Sequence, residues 1–301
     1  MPDTAVWEFD AIGTRWRIHT PETLPEADRA AVSAVIEDYD KTFSRFRPDS
    51  VVSRMAWDAG HWELPAYASD LLGLYKLVSA VTDGAVNPLV GASLSHLGYG
   101  ADITLEAQPG TLPAPQFKDV CTVNGRELTT SEPITLDVGA LGKGQLADLV
   151  LACLKDAGHS DVAVDAGGDV ACAGGARRLG VEDPADPTRV LAAVTLTDGA
   201  LCGSSTRRRA WQRGGSQGSE DLHHVLDART GSPVRGVTAA YASAPDAMTA
   251  DAATTALFFA SPNTVSDALG VETFVVYDDG RVAWSVTRGW KPGKREWEVW
   301  A

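Results

Sequence analysis

The sequence predicts an α+β fold. Three observations carry this reading. The N-terminus holds period-two strands, the first hundred residues hold two stretches with helical periodicity, and several strands follow residue 160 with two helices among them. No internal repeat and no linker interrupts this order.

Residues 5–19 read as two short strands around Ile12-Gly13-Thr14, because apolar and polar positions alternate from Thr14 to His19. Residues 26–42 carry Ala30, Ala31, Val35, Ile36 and Tyr39 at helical spacing, and Pro25-Glu26-Ala27-Asp28 suits a helix start. A helix around Tyr67–Val81 is expected to bury Leu71, Leu72, Leu74, Tyr75, Leu77 and Val78. Gly, Pro and Ser dominate residues 84–118, which predicts loops with short helical turns. A strand over Ile134-Thr135-Leu136 runs into the turn Asp137–Gly144, and a helix follows with Leu146, Leu149, Val150, Cys153 and Leu154 on one face. Gly158 is placed as its C′ residue. A strand at Asp161–Asp165 leads to Gly167-Gly168-Asp169. Further strands are expected near 190–197, 237–243, 271–277 and 281–285, with helices near 250–260 and 261–270. No clean domain boundary emerges, and any cut would fall in residues 100–130.

The chain has 301 residues, with 44% hydrophobic and 22% charged, enough for a sizeable core. Its formal net charge of −14 argues against nucleic acid, whose binders need a basic patch. It also disfavours an anionic membrane surface. A phosphate-bearing ligand stays open where backbone N–H groups, a basic side chain or a metal give local help. No apolar run reaches the roughly 18 residues of a membrane span. The opening Met-Pro-Asp-Thr-Ala-Val-Trp-Glu has no basic start, apolar stretch or lipid-acceptor cysteine. Cys121, Cys153, Cys172 and Cys202 form no CxxC pair and no metal-type spacing with histidine. A cytoplasmic protein with reduced thiols is therefore expected.

Four stretches could carry chemistry. In Asp137–Asp148, three glycines and Lys143 between a strand and a helix allow close approach to an anion, although glycine there also serves a plain tight turn. In His223–Gly231, a histidine near an aspartate and a Thr-Gly turn suits a general base, or only an Asx-type turn. Asp251 and Thr255 stand four residues apart on one helical face, where carboxylate and hydroxyl suit Mg²⁺, unless Asp251 merely answers the helix dipole. Phe43–Ser50 sets aromatics beside arginines, for stacking on a flat ring or for closing a core helix.

Taken together and in this order, these stretches resemble the ApbE family of flavin transferases over nearly the whole chain. The family's Met-Gly-Thr appears as Ile12-Gly13-Thr14, and its Phe-Ser-x-Tyr/Phe-x-x-Asp-Ser as Phe43–Ser50 followed by Ser53-Arg54-Met55. Gly-x-Phe-Asp-Pro appears as Gly84-Ala85-Val86-Asn87-Pro88. The Leu-Asp-x-Gly-x-x-x-Lys-Gly turn lies at 136–144 and Gly-Gly-Asp at 167–169. His-x-x-Asp-x-x-Thr-Gly lies at 224–231 and Ala-Asp-x-x-x-Thr-Ala at 250–256.

The resemblance implies a single domain over residues 1–301, T-fold-like, with mixed α/β layers and antiparallel sheets flanked by helices. It implies FAD as donor substrate, Mg²⁺ as cofactor, and an acceptor protein whose Thr or Ser hydroxyl receives FMN while AMP leaves. By position, Asp251, Thr255 and the carbonyl of Ala140 hold Mg²⁺. Asp137 and Lys143 contact FAD, while Ile12, Phe46, Val225 and the turn Leu97-Gly98-Tyr99 line its pocket. His224 assists proton transfer, and His223, one position off the pattern, faces away from it on a strand. Hydrolysis of FAD by water at the same site, or flavin binding without turnover, are the rival readings. Four places depart from the pattern: Ile12 for methionine, Ala56 for asparagine, Asn87 for aspartate, and Cys202-Gly203-Ser204-Ser205 with Arg207-Arg208-Arg209 for the common Thr-Ser-Gly. These arginines either serve phosphates or are surface charge.

Overall fold

An eight-stranded antiparallel sheet organises the molecule in the computed structural model, which describes residues 5–207, 209–215, 218–285 and 296–300. Its strands run in the order Ala5–Ala11, Thr14–Thr20, Val162–Ala166, Val170–Ala173, Gly199–Ser205, Val237–Ala244, Glu272–Tyr277 and Val282–Ser285. Segments from both halves of the sequence are thus neighbours in one sheet. On one face lie the helices Gly142–Asp156 and Ala247–Ala256, with Glu26–Phe43 and Ala68–Val81 packed behind them. On the other lies a three-stranded sheet of Arg177–Asp183, Asp186–Leu196 and Glu296–Val299.

Burial on both faces explains why the central strands read as near-continuous apolar runs. Val162, Val164, Ala166, Ala240, Ala242 and Val275 join the helix-side core. Their neighbours Ala163, Ala239, Phe274 and Val276 pack into the two clusters on the opposite side. The period of two survives as a choice of core rather than of core against solvent.

Several expected elements need correction. Residues 134–136 pair with no strand: Ile134 N–H donates to Met55 O at 2.8 Å, and the following Asp137 N–H donates to Pro88 O at 2.7 Å. Leu77 is 42% exposed, since the inward stripe of its helix runs through Leu71, Leu72, Tyr75 and Val78. Likewise the first helix buries Val32, Ile36, Tyr39 and Phe43 and leaves Ala30 and Ala31 exposed. Gly158 does end its helix as expected. At φ +97° it donates to Lys155 O, while His159 donates to Leu154 O, the paired bonds of a Schellman motif.

Candidate active site

Two helices meet at Gly144 and cap one another. The helix Gly142–Asp156 has no side-chain cap of its own. Its Gly144 N–H instead donates to Asp251 Oδ2 on the other helix at 3.0 Å. Asp148 answers by accepting Ala247 N–H and Met248 N–H, each at 2.8 Å, at the start of that other helix. Only glycine permits this approach: a Cβ at position 144 would lie 2.1 Å from Ala247 O and 2.8 Å from Asp251 Cβ. Burial pushes the Asp148 carboxyl up to about 7, against the pull of its two N–H donors.

The crossing collects oxygen atoms. Asp251 is 1% exposed, and burial raises its carboxyl, with the nearby Asp169 adding to the effect and Lys143 opposing it. One turn later, Thr255 Oγ1 donates to Ala140 O at 3.0 Å. Among the described residues no group of three His, Cys, Asp or Glu side chains could hold a metal. A cation here would therefore use one carboxylate, one hydroxyl and one main-chain carbonyl. That all-oxygen, incomplete set fits Mg²⁺, which takes oxygen ligands and commonly keeps waters or substrate phosphate in its remaining positions.

Lys143 pairs with Asp169, which is 1% exposed and also accepts Gly203 N–H at 3.4 Å. Burial alone would lower Lys143, yet Asp169 and Asp251 outweigh it and hold the ammonium above its ordinary range. Gly167, at φ +70°, lies where a Cβ would come within 2.0 Å of Thr14 Oγ1. The Gly167-Gly168-Asp169 turn is thus seated on the hairpin tip of Ile12 and Gly13. Both tip residues are left-handed, Ile12 at φ +42° and Gly13 at φ +75°, as a two-residue hairpin turn requires. A branched residue in that conformation costs about 1–3 kcal/mol.

An aromatic wall adjoins the turn. Arg45 is buried and forms an ion pair with Asp137, whose other oxygen accepts Gly139 N–H at 2.7 Å. Burial pushes Asp137 up, but Arg45 and these bonds outweigh it and leave the carboxyl below its usual range. The Arg45 guanidinium lies 4.2 Å from the Phe46 ring centroid and 5.2 Å from that of Tyr99. Tyr99 stacks on Trp211 at 5.7 Å, and Trp211 Nε1 donates to Leu97 O at 2.9 Å. Leu97 itself is fully buried beside Leu94, Leu222 and Leu226, and its N–H donates to Ser93 O at 3.2 Å, so neither its side chain nor its main chain is exposed here. Gly98, at φ +90°, makes the tight turn between them.

The histidines sit differently from the expectation. The strand ends at His223, whose Nε2 lies 3.0 Å from Val234 O, and His224 occupies the bend that follows. His224 N–H donates to Arg209 O at 3.3 Å, and its Nδ1 is buried without a partner. Burial and the charge of Arg209 push His224 down to about 4, so the ring is neutral at neutral pH. Val225 is 8% exposed and belongs to the main core. Of the arginine run, Arg207 is exposed and reaches Pro184 O at 3.0 Å, while Arg208 lies outside the described residues.

Asp137, Ala140, Lys143, Asp251 and Thr255 therefore converge on one helix crossing, with Ile12 linked through Thr14 and Asp169. Phe46 and Tyr99 flank Asp137 through Arg45. The roles of Arg45 and Asp148 escape sequence reading, because their partners lie 92 and 99 residues away.

A model of the ApbE family matches residues 12–273. The chain belongs to the ApbE family. A protein from Rhodobacter capsulatus named FAD:protein FMN transferase is 30% identical over 91% of this chain, which spans 55% of that relative's length. A protein of the same name from Klebsiella pneumoniae is 25% identical over 90% of this chain and 83% of its own. The ApbE protein of Thermotoga maritima superposes with a TM-score of 0.78 at 23% identity, covering 94% of this chain and 97% of that one. The flavin transferase ApbE of Vibrio cholerae gives 0.76 at 20% identity, with the same coverage. These solved structures share the mixed, antiparallel α+β fold described above.

Against the ApbE pattern, Asn87 is more than a lost charge. It is 6% exposed, its Oδ1 accepts Leu89 N–H at 3.0 Å, and its Nδ2 donates to Pro115 O at 2.9 Å. A carboxylate could make the first bond but not the second. Ala56, the other small departure, closes the short helix Val51–Met55 through its backbone N–H.

Proposed function

We propose that this ApbE-family chain is a Mg²⁺-dependent FAD:protein FMN transferase, working as one unit over residues 1–301. The observation that carries the reading is the meeting of Asp251, Thr255 and Ala140 oxygens with Lys143 at one helix crossing. The names of its relatives point the same way. Its substrates are FAD and an acceptor protein bearing a Thr or Ser hydroxyl. They would meet in the cytoplasm, a compartment that suits four free cysteines. Among the described residues no helix is long and apolar enough to cross a membrane.

Bound to Asp251, Thr255 and the Ala140 carbonyl, Mg²⁺ would neutralise charge on the diphosphate. Lys143, fixed by Asp169, holds a phosphate oxygen, and Asp137, fixed by Arg45, orients the donor beside Phe46 and Tyr99. Neutral His224 takes the proton of the acceptor hydroxyl. The freed oxygen attacks the FMN-side phosphorus, the bond to the second phosphate breaks, and AMP departs with the electron pair.

Incubation with FAD, Mg²⁺ and an acceptor flavoprotein domain tests this. The expected result is an intact-mass gain of one FMN on the acceptor with stoichiometric AMP. Free FMN and AMP without acceptor modification would make the chain a hydrolase instead, and binding without turnover would remove the enzymatic reading.

A further inference from the structure

Two guanidinium groups stand over the ring of Tyr99, Arg45 with its Cζ 5.2 Å from the centroid and Arg209 at 5.9 Å. Their electrostatic situations differ. Arg45 is ion-paired with Asp137, whereas Arg209 has no carboxylate partner among the described residues. Lys143 is likewise matched by Asp169. Among these three cations of the site, Arg209 is the one whose charge remains open.

Its place is fixed by the backbone as well as by Tyr99. The carbonyl of Arg209 accepts the N–H of His224 at 3.3 Å, which pins the guanidinium-bearing residue beside the imidazole. Its charge is felt at His224 and at Asp137, on two sides of the site. The side chain is only partly buried and so remains open to a ligand. Arg207, two residues earlier, is exposed and engaged with Pro184 O. The two described arginines of the run 207–209 therefore have different surroundings, and Arg209 is the one at the site.

We propose that Arg209 binds the diphosphate of the donor dinucleotide. The inference rests on the FAD reading above and adds a residue to it. A dinucleotide diphosphate carries two negative charges at neutral pH. A divalent cation on Asp251 leaves one net positive charge, and Arg209 supplies the second. The planar, permanently charged guanidinium is suited to two phosphate oxygens at once, and the Tyr99 ring beneath it limits its motion.

Calorimetric titration with FAD in Mg²⁺, repeated across a range of NaCl concentrations, tests the proposal on wild type, Arg209→Gln, Arg209→Met and Arg209→Lys. The Gln and Met variants should raise the FAD dissociation constant about tenfold or more, the expected loss for one charge-assisted contact. They should also flatten its dependence on salt, while Lys recovers much of both. Either neutral variant suffices if the other folds poorly by circular dichroism. Unchanged affinity in a folded neutral variant overturns the proposal, as does weakened affinity with the wild-type salt dependence, which would mark a contact made only through Tyr99. Absence of FAD binding by wild type would overturn the transferase reading itself. Binding by wild type with no loss in the variants overturns the role of Arg209 alone.

Discussion

Thr255 donates its hydroxyl hydrogen to the carbonyl oxygen of Ala140 across 115 residues of sequence. Two proposed ligand oxygens therefore lie 3.0 Å apart with a proton between them. To ligate a cation beside Asp251, the hydroxyl would need only to turn its lone pairs inward.

This arrangement predicts a metal effect that is visible without catalysis. Mg²⁺ at one hundred times its dissociation constant should stabilise the folded chain by about 2.7 kcal/mol, read as a rise in melting temperature. Asp251→Asn and Thr255→Val should abolish the rise, and transfer activity should fall with it. A full Mg²⁺-induced rise in Asp251→Asn would remove Asp251 from the ligand set.

Lys143 and Asp169 should behave as a unit. Truncating one member of a buried pair leaves the other charge uncompensated, at about 3–5 kcal/mol. Lys143→Met and Asp169→Asn should each lower the urea midpoint strongly, and the double variant should be less destabilised than the two effects added. Strict additivity would show that the pair is not coupled.

His224 gives a pH prediction. Its folded value lies near 4 against 6.5 for the free side chain. Between those values the unfolded chain binds the proton and the folded chain does not, so stability contributed by neutral His224 is present above pH 6.5 and lost as pH falls toward 4. The acid limb of kcat/KM should correspondingly lie below about pH 5, and His224→Ala should slow single-turnover transfer by about 10²–10⁴-fold while retaining FAD binding. His223→Ala should be mild. An acid limb at 6.5, or loss of FAD binding in His224→Ala, would sink the role as base.

Asn87→Asp brings the chain closer to the family pattern and should nevertheless destabilise it. The carboxylate would face Pro115 O, which now accepts from Nδ2. An unsatisfied buried group of this kind costs about 1–3 kcal/mol. Thermal melting should show the deficit and show it growing as pH rises from 4 to 7. An unchanged melting temperature would mean that the Pro115 contact contributes nothing.

Local features were the legible ones. The i, i+4 spacing gave Asp251 and Thr255 one face of a helix, Gly158 marked a helix end, and the glycines of 139–144 marked a close approach. Long-range pairing was not legible. Nothing near Arg45 in sequence announces Asp137, and Ile134-Thr135-Leu136 has a strand's composition while Ile134 bonds to Met55 at a helix end. Leu97 was read as pocket-lining from its motif, yet its side chain is sealed beneath Trp211. Propensity describes a segment, whereas these outcomes depend on what the rest of the chain places beside it.

The interleaved sheet has a consequence for biogenesis. The strands Thr14–Thr20 and Val162–Ala166 are neighbours, and Asp251 caps a helix that begins 109 residues before it. A nascent chain on the ribosome thus holds Lys143 and its glycine turn long before the acid that completes them has been synthesised. On the proposed reading, the residues that would hold the donor are not all present until Asp251 has been made. The crossing is complete only once residues 247–256 have been synthesised and docked against the helix Gly142–Asp156.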